Sequence, residues 1–201
     1  MKRLVPLGES EFEIKVLSSR FVAILFPIEE VGDFLSHYEE IKRSYPKADH
    51  YPYAYVLSAN QKCSDDGEPT GSAGRPLLSL LRRTGIEKGA LVIVRYFGGS
   101  KLGASRLTRT FSSSAEGAIN KARFGEIVRF HEVHISTDYH GYEEVKRLAE
   151  RNGYHVLNVA FGELVNLTLR GDDTIISALS SIRYREESLT DLGFVEVIKE
   201  N

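Results

Sequence analysis

The residues with the greatest chemical potential fall in two dense runs. Residues 64–75 read Ser-Asp-Asp-Gly-Glu-Pro-Thr-Gly-Ser-Ala-Gly-Arg, and 95–103 read Arg-Tyr-Phe-Gly-Gly-Ser-Lys-Leu-Gly. Asp65, Asp66 and Glu68 are hard oxygen donors, able to hold Mg²⁺ with a phosphate completing its shell. Arg75, Arg95 and Lys101 are cations suited to phosphate. Thr70, Ser72 and the backbone from Gly71 to Gly74 form a cradle for an anion, and Gly98, Gly99 and Gly103 repeat the arrangement around Lys101. A glycine at such positions lets backbone approach a ligand without a Cβ in the way. The expected ligand is a phosphate or polyanion, in preference to an apolar molecule.

Each of these readings has a plainer counterpart. The three acids serve equally well as caps of the 70–74 turn or as partners of Arg75 and Arg95, since Asp-Asp-x-Glu is no dedicated metal signature. The glycine runs lack the Gly-Lys-Ser/Thr of a P-loop and also suit tight strand-to-helix turns. His50, beside Tyr51, Tyr53 and Tyr55, is either a proton-transfer or phosphate-facing group or a packed histidine. The catalytic candidates are His50, Asp65, Asp66 and Glu68. Tyr96 and Phe97 end a strand at the second loop, where a ring can stack on a base or close the core rim.

These residues need elements to position them. Residues 11–26 alternate and then turn apolar, which predicts one or two strands with a bend at 18–20. Residues 31–45 carry Val31, Phe34, Leu35, Tyr38 and Ile41 at helical spacing, stopped by Pro46. A strand at 51–57, a loop over 60–74, a helix opening at Arg75-Pro76 and capped by Gly85, and a strand at 91–96 follow. A long helix is expected over 103–122, with Arg106 and Arg109 on a polar face. Both glycine runs therefore sit just ahead of helix N-termini, where unpaired N–H groups favour anions. Beyond residue 125 the expected order is a strand (127–136), a helix (141–151), strands at 155–160 and 163–170, a helix (173–182) and a strand (188–199). That β-α-β-β-α-β order is ferredoxin-like.

Composition sets the remaining bounds. The 201 residues, 42% apolar and 27% charged, are ordinary for a globular protein. Cys63 is the sole cysteine, so no intrachain disulfide forms and a reducing compartment is expected. No stretch approaches a membrane span, and the first residues turn polar too early for a signal peptide, which predicts a cytoplasmic protein. Residues 1–127 carry 18 Lys and Arg against 15 Asp and Glu, and residues 128–201 carry 8 against 13. Within 75–123 ten cations face two acids, a local excess of +8 that steers a polyanion or merely solvates helix faces.

The run Asp65-Asp66-Gly67-Glu68-Pro69-Thr70-Gly71-Ser72-Ala73-Gly74-Arg75-Pro76 resembles the signature of the IMPACT/YigZ family, and so does Arg95-Tyr96-Phe97-Gly98-Gly99-Ser100-Lys101-Leu102-Gly103. Ser19-Arg20-Phe21 and the stretch from Asp49 through His50 to Tyr55 are similar to two further family strands. Pro52 stands where many relatives carry a cysteine, so a nucleophilic thiol has no support there. The resemblance implies an α+β protein of two domains. Residues 1–126 would form an IMPACT-type α/β sandwich like ribosomal protein S5 domain 2, and residues 127–201 a ferredoxin-like domain similar to domain five of elongation factor G. Together with the +8 segment and the two glycine loops, it points to a non-enzymatic, translation-linked regulator that engages RNA, a ribosomal surface or a translation factor through the basic, glycine-rich face of residues 75–123, with no cofactor. The alternative from the residues is a Mg²⁺-dependent phosphotransferase or phosphohydrolase. Nothing in the chain speaks to oligomeric state.

Overall fold

The computed structural model describes residues 2–180, 182 and 188–200, and the chain divides into two compact units, residues 1–127 with 198–201, and residues 128–197. In the first unit the elements run β1 (Leu4–Pro6), β2 (Ser10–Val16), β3 (Ser19–Pro27), α1 (Val31–Ser44), β4 (Tyr53–Leu57), β5 (Asn60–Ser64), α2 (Gly74–Thr84), β6 (Gly89–Tyr96), α3 (Ala104–Lys121) and the start of β7 (Phe124–Thr137). A five-stranded antiparallel sheet in the order β2-β3-β6-β4-β5 forms its centre.

Helices cover both faces of this sheet, and strand alternation decides which side chain meets which helix. Phe21, Ala23 and Leu25 of β3, with Leu91 and Ile93 of β6, pack against Leu77, Leu80 and Leu81 of α2 and Leu107, Phe111 and Ala115 of α3. Val22, Ile24 and Phe26, with Val92 and Val94, turn the other way onto Phe34, Tyr38 and Ile41 of α1. Burial on both faces is why β3 and β6 read as continuous apolar runs. The 11–26 segment is a hairpin whose turn takes Leu17 to φ 53°. Gly85 closes α2 in the left-handed region at φ 73°, where a side chain would be strained.

Two elements depart from the sequence expectation. Residues 60–64, expected as loop, form β5 and pair with β4 from Tyr53↔Ser64 to Leu57↔Asn60. Its polar Asn-Gln-Lys-Cys-Ser lacks apolar alternation because it is an edge strand held by its neighbour's ladder. The three-residue β1 is also new; it pairs with the opening of β7, Leu4 opposite Glu126 and Pro6 opposite Phe124.

In the second unit β7 continues and is followed by α4 (Tyr139–Asn152), β8 (His155–Phe161), β9 (Val165–Gly171), α5 (Ile175–Ser180) and β10 (Ser188–Glu200). The antiparallel sheet runs β8-β9-β7, with β10 paired on the other side of β7. Val133, Ile135, Leu167 and Leu169 face Val145, Leu148 and Ala149 of α4 and Ile175 and Leu179 of α5. Asp138 caps α4 by accepting from the Gly141 N–H at 2.7 Å. The helix expected over 173–182 is shorter than its sequence pattern, and residue 181 lies outside the described residues. Among the described residues the fold is mixed α+β, with two sheets and five helices. No helix among the described residues is long and apolar enough to cross a membrane.

Candidate functional site

Three segments of the first unit meet around a cleft of about 380 Å³: the residues just before β4, the 65–75 loop, and the 97–103 loop with the start of α3. His50, Gly67, Glu68, Arg95 and Lys101 line it, together with Gly103 and Ala104 at the N-terminus of α3. Apolar groups, Pro69, Phe97, Leu102 and Leu107, complete the wall.

The 65–75 loop is folded by its own acids. Asp65 accepts from the backbone N–H groups of Gly71 (2.7 Å), Ala73 (2.9 Å) and Gly74 (2.8 Å). Burial works to raise the Asp65 carboxyl, but these three donors, helped by Arg75, outweigh it and hold the group below the usual carboxylate range. Asp66 sits at φ 45°, accepts from the Tyr51 N–H through Oδ2 at 2.6 Å, and meets His50 Nδ1 with its carbonyl at 2.8 Å. A carbonyl only accepts, so His50 Nδ1 carries the proton of that bond. Gly67 follows at φ 84°, and a Cβ there would lie 3.0 Å from the His50 ring.

Glu68 and Arg95 form the buried floor. Their carboxylate and guanidinium pair through Oε2 and Nη1, with the side chains 1% and 7% exposed. The guanidinium carbon lies 5.2 Å from the Phe21 ring centre, 5.7 Å from Phe97 and 6.0 Å from Phe111, distances at which a cation is attracted to a ring. Glu68 Oε1 and Arg95 Nε are buried without a hydrogen-bond partner among the described residues, and His50 Nε2 stands 4.0 Å from that oxygen. The backbone reinforces the contact: Arg95 N–H donates to the His50 carbonyl at 2.9 Å, and Asp49 N–H to the Arg95 carbonyl at 2.9 Å.

The 97–103 loop is tied at its start. Phe97 N–H donates to Asp49 at 2.7 Å, and Gly98 N–H to the Ser19 hydroxyl at 3.1 Å. The β2–β3 turn presses so close that a Cβ on Gly98 would fall 2.0 Å from the Ser18 carbonyl carbon. Gly103 is the N-cap of α3 and offers no side-chain acceptor, so the first-turn N–H groups open beside the cleft.

The structure thus brings His50, Glu68, Arg95, Lys101 and Gly103 together. Asp65 and Asp66 are spent on the scaffold, and the three acids do not converge on one point as Mg²⁺ ligands; no group of three or more His, Cys, Asp or Glu placed for a metal occurs among the described residues. Arg95 is the buried partner of Glu68. Thr70, Gly71, Ser72, Gly74 and Arg75 build the loop and the start of α2, with Ser72 buried and Thr70 and Arg75 exposed, away from the cleft wall. Gly98 and Gly99 shape the second loop, and Arg106 and Arg109 stand exposed on α3. Sequence reasoning missed Asp49, Ser19 and Pro69. Asp49 had one available signal, an acid directly before the singled-out His50.

These features define a two-unit α+β protein whose cleft is built from two glycine-rich loops. The Impact N-terminal domain family matches residues 17–119, and the chain belongs to the IMPACT family. An IMPACT family member of Haemophilus influenzae is 31% identical over 183 residues, 89% of each chain. The family member YvyE of Bacillus subtilis is 30% identical over 173 residues, 85% of this chain and 80% of the relative. A solved structure described only as that of a hypothetical protein superposes with a TM-score of 0.62 at 24% identity, covering 90% of both chains, and shares the fold.

Proposed function

We propose that this chain is a non-enzymatic, translation-linked regulator that engages RNA through the face formed by Lys101, Arg106 and Arg109. In this reading residues 1–126 are a sandwich like ribosomal protein S5 domain 2. Residues 127–201 form a ferredoxin-like domain, supported by the strand order β10-β7-β9-β8. One observation carries the functional part. The side chains of Lys101, Arg106 and Arg109 are exposed and make no ion pair or hydrogen bond among the described residues, whereas Arg3, Arg20, Arg83, Lys88 and Arg95 in the same unit are each paired with a glutamate. Three unneutralised cations at the open end of α3 suit a phosphate backbone. Filter binding of an unstructured RNA at two salt concentrations tests it. Retention at low salt that falls steeply with salt, and falls further in Lys101→Ala and Arg109→Ala, is expected. RNA that is never retained would sink direct RNA contact and leave a ribosomal protein or translation factor as the partner.

The presence of His50, Glu68 and Lys101 on one cleft favours a second reading, a phosphotransferase or phosphohydrolase. Against it, Asp65 and Asp66 already hold backbone donors. Turnover of nucleotides or phosphate esters with Mg²⁺, lost in His50→Ala, would establish this reading in place of the first.

A further inference from the structure

We infer that the cleft is a discrete binding site for a phosphorylated ribose, occupied by a free mononucleotide or by the phosphorylated end of an RNA chain. The inference rests on the phosphate-binding character assigned above to the start of α3, and adds a specific pocket to that surface.

Two polar atoms under the cleft lack partners among the described residues. Glu68 Oε1 is an acceptor and Arg95 Nε a donor, both buried and both on side chains that line the cleft. A buried polar group without a partner is costly to keep, and the pair is not the usual way to build a structural ion bridge, in which both partners are satisfied. A ligand that relieves both must present a donor and an acceptor on one small skeleton. The hydroxyls of a ribose, each able to donate and to accept, do so.

The rest of the wall agrees. Opposite the floor, the uncapped first turn of α3 at Gly103 and Ala104 and the Lys101 ammonium favour the phosphate. His50 donates its Nδ1–H to the Asp66 carbonyl, so that when the ring is neutral Nε2 is an acceptor near Glu68, a second partner for a hydroxyl. The half-exposed Phe97 ring, with Leu102, Pro69 and Leu107, supplies apolar surface on which a base can stack. The charge of Glu68 is met by Arg95, so the floor does not repel the anion. A volume of about 380 Å³ lies within the range of small-molecule sites. Two neighbouring acceptors, Glu68 Oε1 and His50 Nε2, would also favour ribose over deoxyribose.

Calorimetric titration of the full chain with adenosine 5′-monophosphate tests the site. Saturable binding is expected, weaker by about tenfold or more for adenosine, which lacks the phosphate, and for 2′,3′-dideoxyadenosine 5′-monophosphate, which lacks the hydroxyls. Lys101→Ala should weaken the nucleotide a few-fold. Because the ligand is changed as well as the protein, a variant that fails to fold does not spoil the result. A 5′-phosphorylated pentanucleotide and its 5′-hydroxyl counterpart separate the sources: preference for the former over the mononucleotide marks an RNA end, and the reverse a free nucleotide. Equal affinity for the dideoxy analogue overturns the proposal, as does the absence of binding by both the mononucleotide and the phosphorylated pentanucleotide. A chain that binds the mononucleotide but retains no long RNA defeats the surface reading alone; one that retains long RNA but binds neither the mononucleotide nor the phosphorylated pentanucleotide defeats the pocket alone.

Discussion

Glu68 and Arg95, 27 residues apart in sequence, are bound to each other beneath the cleft, both almost wholly removed from water. A buried pair of this kind is asymmetric in its energetics. Removing one partner leaves the other as an uncompensated charge. Arg95→Leu is therefore expected to destabilise the fold by about 3–5 kcal/mol, and the double replacement Glu68→Leu with Arg95→Met to recover much of that loss. Urea denaturation of the two variants provides the comparison. Similar midpoints for single and double variants would contradict it.

Asp65 gives a pH signature. Its carboxyl is held low in the folded chain, so its stabilising effect is present above the unfolded-state value of about 3.9 and is lost as pH falls through the lower folded-state value. Asp65→Asn should destabilise by about 1–3 kcal/mol at neutral pH. The gap between wild type and variant should narrow below about pH 4. Urea midpoints across that range would reveal it, and a gap independent of pH would refute it.

Gly98 and Gly99 are adjacent and should respond differently. A methyl on Gly98 collides with the Ser18 backbone, which has no flexible side-chain end to move aside. At Gly99 the space is open and only the positive φ of 82° opposes a side chain. Gly99→Ala should cost about 1–2 kcal/mol, and Gly98→Ala distinctly more. Thermal unfolding ranks the two; an equal cost would show that the β2–β3 turn yields.

The His50 ring should be the Nδ1–H tautomer when neutral, because its partner there is a carbonyl. Nitrogen chemical shifts of the labelled imidazole distinguish the two forms. A proton found on Nε2 at neutral pH would remove the acceptor that faces the cleft.

If Lys101, Arg106 and Arg109 each contact a phosphate, each alanine variant should reduce the slope of log affinity against log salt by about 1. Unchanged slopes with weaker binding would assign them to packing or to a protein partner.

Legibility in the sequence followed the strength of local patterns. The strands whose side chains alternate between two apolar faces, Phe21 to Phe26 and Leu91 to Val94, were readable because burial on both sides leaves a continuous apolar run. The helix ends at Gly85 and the glycine loops were readable for conformational reasons. β5 was not, since an edge strand of polar residues takes its conformation from its neighbour. Within the candidate site, residue type identified His50, Glu68 and Lys101. It did not separate Asp65, whose two oxygens face backbone donors, from Glu68, three positions on, whose carboxylate lies on the cleft floor. Arg95 is a similar case: a cation's charge is visible in sequence, but its burial against Phe21 and Phe111 depends on chain segments that are distant along the sequence.

The contacts under the cleft close on themselves. Arg95 joins His50 by backbone and Glu68 by side chain, and Asp66, two residues before Glu68, returns to the His50 ring and the Tyr51 N–H. A displacement of any member must therefore be shared around this ring. The Tyr51 amide, outside the cleft wall yet held at 2.6 Å by Asp66, becomes a remote reporter of occupancy. Its hydrogen-exchange rate would register a ligand that never touches it.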